Sequence, residues 1–207
     1  MNALAVTAVT NFILACEVFL IAGLLLGRPK ALTSAAGVWA LALACLGASA
    51  LLGGIDHGFV EPFGQTPNRI LLERTNWGVL GLTTFGVFMT TARQFFAPGA
   101  QRLLFGLAGL QLAVYLVLVA FVGNFLVVIV NYAPVMLFLL VMSVLGLRAG
   151  RGSWPMVAGI VLLFIASGVQ ASGFDALSPV DHNGLYHLIA MAAVVGLYFG
   201  GLRLKTD

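Results

Sequence analysis

Three histidines are the residues in this chain best suited to chemistry, and they arrive from two places. His57 stands in IDHG at 55–58, while His182 and His187 bracket HNGLYH about 125 residues further on. Three imidazoles that converge and leave a fourth position open form the ligand set of a catalytic zinc ion. Imidazole suits the metal because the neutral ring donates one lone pair while a carboxylate fixes its other nitrogen. Asp56, Glu61, Glu73 and Asp181 are near enough in sequence or level to take that supporting part. Zinc in such a set brings the pKa of a bound water down to about 7, which makes hydroxide available at neutral pH.

Spacing sets a condition on this reading. His182 and His187 are five residues apart, which turns them about 140° from one another around a regular helix. With Ser178 as cap, Pro179 as first residue and Asp181 completing a capping box, both histidines fall inside one helix. A bulged turn near Gly184 would then bring them together, because such turns favour functional sites. Without a bulge, one of the two is not a ligand. Asn183, four residues before His187 and on its face, is placed to orient a substrate or a water.

The elements that must carry these residues are membrane helices. Of the 207 residues, 61% are hydrophobic and only 8% charged, against roughly 25% charged in a soluble domain. A helix needs about 20 apolar residues to cross the hydrocarbon, and that ruler gives spans at 4–26, 35–57, 74–92, 102–122, 125–147, 154–171 and 180–202. GRPK at 27–30, EPFGQTPNR at 61–69, RQFFAPGAQR at 93–102 and RAGRGSWP at 148–155 break them, and a tight turn at Gly123-Asn124 makes spans four and five a hairpin. The first run is too long for a signal peptide and has no basic stretch before it, so it reads as a span. The expectation is a single all-α domain over 1–207, a bundle of seven transmembrane helices.

Basic residues orient it. Arg28, Lys30, Arg93, Arg102, Arg148, Arg151, Arg203 and Lys205, eight of the ten, fall on one side, while Asp56, Glu61, Glu73, Asp175 and Asp181 fall on the other. The positive-inside rule puts the C-terminus in the cytoplasm and the N-terminus outside, as in a bacterial inner membrane with the histidines facing the periplasm. Scattered basic residues give no patch for nucleic acid, so the expected partners are membrane lipids and a lipid-like small molecule.

Ionisable and amide side chains inside apolar spans are functional suspects. Asn11 and Glu17 on span one, Asn76 opening span three and Asn131 entering span five are candidates to line a cavity, with Ser49 two turns below His57. Interhelical hydrogen bonding is the structural alternative for Ser49, Asn76 and Asn131. Arg74 reads as an ion pair with Glu73 or a headgroup anchor. Gly23/Gly27 and Gly196/Gly200 have the spacing that lets helices approach closely. Cys16 and Cys45 read as small residues buried in helices, with no metal-type spacing.

Seven spans, a histidine ending span two and two more opening span seven resemble the CREST superfamily, which includes alkaline ceramidases, progestin and adipoQ receptors and hemolysin-III-like bacterial proteins. The resemblance implies a seven-helix bundle with zinc held by His57, His182 and His187. It further implies hydrolysis of an amide or ester bond in a lipid-like substrate, with Asp56 or Glu73 taking a proton and Ser49 steadying the oxyanion. In that superfamily the helix-seven histidines are four apart, and a serine one turn before the helix-two histidine stands where this chain has Gly53. The segment HNGLYHLIAMAAVVGLYFGG also resembles the last helix of a bacterial membrane family with an HNDLxH-type motif. Two other classes fit the residues: haem ligated by His57 and His187 from facing helices, and a non-enzymatic receptor or transporter with Glu17 as proton or ion carrier.

Overall fold

The computed structural model describes residues 2–28, 31–175 and 177–207, so Lys30 of the basic side lies outside the described residues. They form seven α-helices: α1 (Ala3–Leu26), α2 (Ala35–Ile55), α3 (Pro67–Phe95), α4 (Pro98–Phe121), α5 (Leu126–Arg148), α6 (Trp154–Ser172) and α7 (His182–Gly201). A π-helical turn at Asp56–Val60 and a 3-10 turn at Glu61–Phe63 follow α2. Six helices, α2 with its two turns among them, are long and apolar enough to cross a membrane. The remaining helix, α3, falls outside this set: it carries Arg69, Glu73 and Arg74 in its first turns and buries Thr83, Thr84, Thr90 and Thr91 along its length.

Each start has a chemical cause. The side chains of Asn2, Ser34, Thr66, Ser153 and Asp181 accept hydrogen bonds from the first free amides of α1, α2, α3, α6 and α7, the donors a helix start leaves without an internal partner. Thr66 and Pro67 begin α3 seven residues before the expected span at 74. At α7 the structure corrects the sequence reading. Leu177 pairs with Val180 across a tight turn that holds Ser178 and Pro179, so Asp181 itself is the cap and the helix begins at His182.

In the bundle α1 packs between α2 and α7, α2 packs on α3, α3 on α5, α5 on α6, and α6 on α7. This closes a ring, and α4 rides outside it on α3. The expected hairpin of α4 and α5 is joined by a short link, and the two helices pack only lightly, through Tyr115, Val119 and Val128 near the link and through Gln111 and Asn131. Opposite the histidines, one end is tied by the tail. Ala36 donates its amide to the Lys205 carbonyl at 2.8 Å, the Lys205 amide donates to Gln94 Oε1 at 3.0 Å, and Gln94 Nε2 donates to the Arg151 carbonyl at 2.8 Å.

The tightest packing, α6 on α7, depends on missing side chains. A Cβ at Gly159 would stand 2.8 Å from the Ala193 carbonyl oxygen, and one at Gly196 would stand 2.9 Å from the Pro155 carbonyl oxygen. Gly200 meets Met156 in the same way, so Gly196/Gly200 behave as the sequence suggested, whereas Gly23 faces open space and Gly27 meets only its own helix. Cys45 is half-buried, and Cys16 is exposed on α1, against the expectation of burial. Gly196→Val should therefore cost about 1–3 kcal/mol through overpacking. Gly106→Ala, with nothing near it, should be neutral or stabilising by up to about 1 kcal/mol. Thermal unfolding in detergent of the two variants checks this, and equal melting temperatures would contradict it.

Candidate metal centre

At Ile55 the chain does not leave the helix but widens it. In the turn Asp56–Val60 the Glu61 amide donates to the Asp56 carbonyl, five residues back. This inserts one residue into the turn and swings Glu61 over His57, whose Nδ1–H donates to Glu61 Oε2. Ligand-type atoms of Asp56, His57 and Glu61 lie within 4.8 Å of one another. A Cβ on Gly58 would be 3.3 Å from that of Ala8, so the turn rests on α1.

The carboxylates are gathered by Arg69, which the sequence reading did not single out. From the first turn of α3 it donates to Asp56 Oδ1 at 3.2 Å through Nε and to Glu61 Oε1 at 3.0 Å through Nη2. Glu73 Oε1 lies 3.4 Å from Nε and also receives Gln65 Nε2 at 3.4 Å. The signal available in sequence was a basic residue standing on the acidic side of the chain.

The second imidazole is anchored by α1. Thr10 donates its hydroxyl proton to the Thr7 carbonyl at 3.0 Å. That leaves the Thr10 oxygen an acceptor, so the 3.0 Å contact with His187 is a donation from His187 Nδ1–H. Nε2 of His187 then keeps its lone pair, and the same tautomer of His57, with its Nδ1–H on Glu61, leaves the Nε2 lone pair open there too. Thr7 donates to Asp181 Oδ1 at 2.9 Å, and the same oxygen caps α7 by accepting from the Gly184 amide at 2.7 Å. His187 is buried and within electrostatic reach of His57 and Asp181. Thr7 and Thr10 were also missed, since threonines at helical spacing are too common to signal a site.

His182 is not brought to this pair. α7 is regular from its first residue, with no bulge at Gly184; the widened turn belongs to His57 instead. His182 donates through Nδ1 to Asp175 Oδ1 at 2.8 Å, and its backbone amide reaches the same oxygen at 3.2 Å. Asn183 accepts from Gln170 Nε2 at 3.1 Å and so ties α6 to α7. Ser49 donates to Asn76 Oδ1 at 2.6 Å, a bond between α2 and α3 below the site. Asn131 pairs with Gln111 on the far side of the bundle. Asn11 is buried against Gly53. Glu17, half-buried on α1, makes no hydrogen bond or ion pair among the described residues. Arg74 leaves Glu73 to Arg69 and donates to the Val119 and Val122 carbonyls while stacking on Trp77.

The rim pair makes a pH prediction. The hydrogen bonds from His182 hold the exposed Asp175 carboxyl below its ordinary range. A depressed carboxyl contributes stability that is present above its unfolded pKa, about 3.9, and is lost as pH falls through the lower folded value. In His182→Ala the Asp175 carboxyl should titrate higher than in the unaltered protein by NMR, moving toward its ordinary value with only the backbone amide of residue 182 still holding it down. The stability difference between the two proteins should shrink below that pH.

No curated protein and no solved structure matches the chain. Residues 6–206, which include every side chain of the centre just described, match a protein family described as a family of unknown function. The chain belongs to that family, DUF6962.

Proposed function

We propose that the protein is a zinc-dependent hydrolase of the inner bacterial membrane, acting on an amide or ester bond of a lipid-like substrate at the outer face. Six apolar helices support the membrane placement. In this reading α3 is the seventh span, shielded from lipid over much of its polar surface by α2, α4 and α5. Charge supports the orientation, since the basic residues gather at the end tied by the tail.

The observation that carries the reading is the state of the two buried-side imidazoles. Both have Nδ1 committed, His57 to Glu61 and His187 to Thr10, which leaves Nε2 of each ring without a partner among the described residues. His182 is left out of the set in this reading, since it opens α7 beside the exposed Asp175 instead of packing on α1 as His187 does. We take two histidines and a carboxylate as the ligand set, the kind found in known zinc hydrolases. In this reading His57 and Asp56, whose ligand-type atoms already lie within 4.8 Å of each other, would hold the ion, and His187, which is outside that group, would close on it from α7 as the third ligand. The chemistry zinc supplies when bound is Lewis acidity, which makes water nucleophilic near neutral pH.

The chain's own residues do the rest. Glu61 and Thr10 fix the two ring orientations, the part supporting groups play at metal sites. Glu73, partly exposed and held by Arg69 and Gln65, is the carboxylate left to accept a proton from the attacking water. Ser49, which donates to Asn76 below the site, is given no part in the chemistry of this reading.

Elemental analysis of detergent-purified protein, with a visible spectrum on the same sample, tests the reading. About one zinc per chain is expected, lost in His57→Ala and His187→Ala and retained in His182→Ala. Hydrolysis of acyl amides or esters should fall at least about 100-fold in the first two variants. Full zinc occupancy in His57→Ala, or a haem absorption band, would overturn it.

A further inference from the structure

Where α4 and α5 splay, a groove of about 860 Å³ opens on the side of the bundle away from the histidines. Its walls are apolar, with Leu107, Leu110, Val114 and Leu118 from α4 facing Val127 and Val135 of α5. One polar centre interrupts them. Gln111 Nε2 donates to Asn131 Oδ1 at 3.0 Å and to the Asn131 carbonyl at 3.2 Å. Gln111 Oε1 and Asn131 Nδ2 are left without a partner among the described residues. Pro134 lies inside α5 and has no N–H, so the Val130 carbonyl four residues earlier loses its helical donor. Val130, Asn131, Pro134 and Gln111 all line the groove.

From this geometry we infer that the α4/α5 groove is a binding site for a hydrocarbon-chain molecule that carries a hydroxyl or secondary amide within its length. The walls select the chain. The α4 wall from Leu104 to Leu118 is about 21 Å long at 1.5 Å per residue. A hydrocarbon chain laid along it meets apolar side chains on both sides of the polar centre. A helix from a second copy of the chain would have to bring its own polar side chain to Gln111 and Asn131.

The polar centre selects the functional group. Two acceptors, Gln111 Oε1 and the Val130 carbonyl, and the donor Asn131 Nδ2 are costly to leave bare in an apolar slot. A plain hydrocarbon satisfies none of them, and an ester meets only the donor. A hydroxyl or secondary amide donates and accepts, and so answers both kinds. The groove shares no residue with the metal centre, and the inference stands or falls without it.

The test uses a matched pair, N-octyloctanamide and octyl octanoate, which have the same length and differ by one N–H. Binding to the purified full chain in detergent is read by native mass spectrometry. The amide should bind about tenfold more tightly than the ester. Gln111→Leu and Asn131→Leu should each bring the amide down to the level of the ester, and Val114→Trp, which fills the slot, should abolish binding of both. Equal affinity of the unaltered protein for the two compounds would overturn the inference, and so would an amide preference that survives Val114→Trp. A dimer that Val114→Trp dissociates, with neither compound bound, would assign the groove to a second copy instead.

Discussion

Three carboxylates at one end of an apolar bundle repel one another unless something holds them, and Arg69 is what holds them. Asp56 comes from the widened turn after α2, Glu61 from the 3-10 turn beyond it, and Glu73 from α3 itself. A planar fork of five N–H donors can meet several acceptors in fixed directions at once, which a lysine ammonium does less well. The contact that offsets the charge also sets how the chain turns from α2 into α3. Glu61, held on one oxygen by Arg69, is thereby positioned to hold His57 with the other. The orientation of the first imidazole thus descends from a residue that never touches it.

The second imidazole is oriented by neutral groups. His187 leans on a threonine hydroxyl whose proton is spent on its own helix. The two rings therefore reach the same state, Nδ1 tied and Nε2 open, by an ionic route and a neutral one. Asp181 joins the routes, since one oxygen both begins α7 and takes the Thr7 proton. The start of α7 and the register of α1 are set by a single atom.

Most of the helical layout was legible because long apolar runs admit few other structures, and the gathering of polar residues at one end was legible from their order along the chain. What could not be read lay where local geometry decides. A ruler based on apolar runs discards polar turns, so it missed the first seven residues of α3, although Thr66 and Pro67 carried a capping signal. The histidine spacing set a condition, a bulge in α7, and α7 is regular from His182 onward. The hydrogen bond from His182 to Asp175 had no signal in the sequence. The sequence reading weighed a bulge only at Gly184, as a condition, whereas the widened turn is at Asp56–Val60, where Gly58 rests on Ala8 and Arg69 holds Glu61.

The clasp at the other end of the bundle has a consequence for biogenesis. Ala36 lies in the first turn of α2, and its amide waits for the carbonyl of Lys205. The ribosome must add 169 further residues before that partner exists. Until then the opening turn of α2 has one donor that only solvent or a transient neighbour can satisfy. A contact of such long sequence separation forms late, so the early helices are inserted before their own end is sealed. Closure of that end then becomes a report that the rest of the bundle has been assembled.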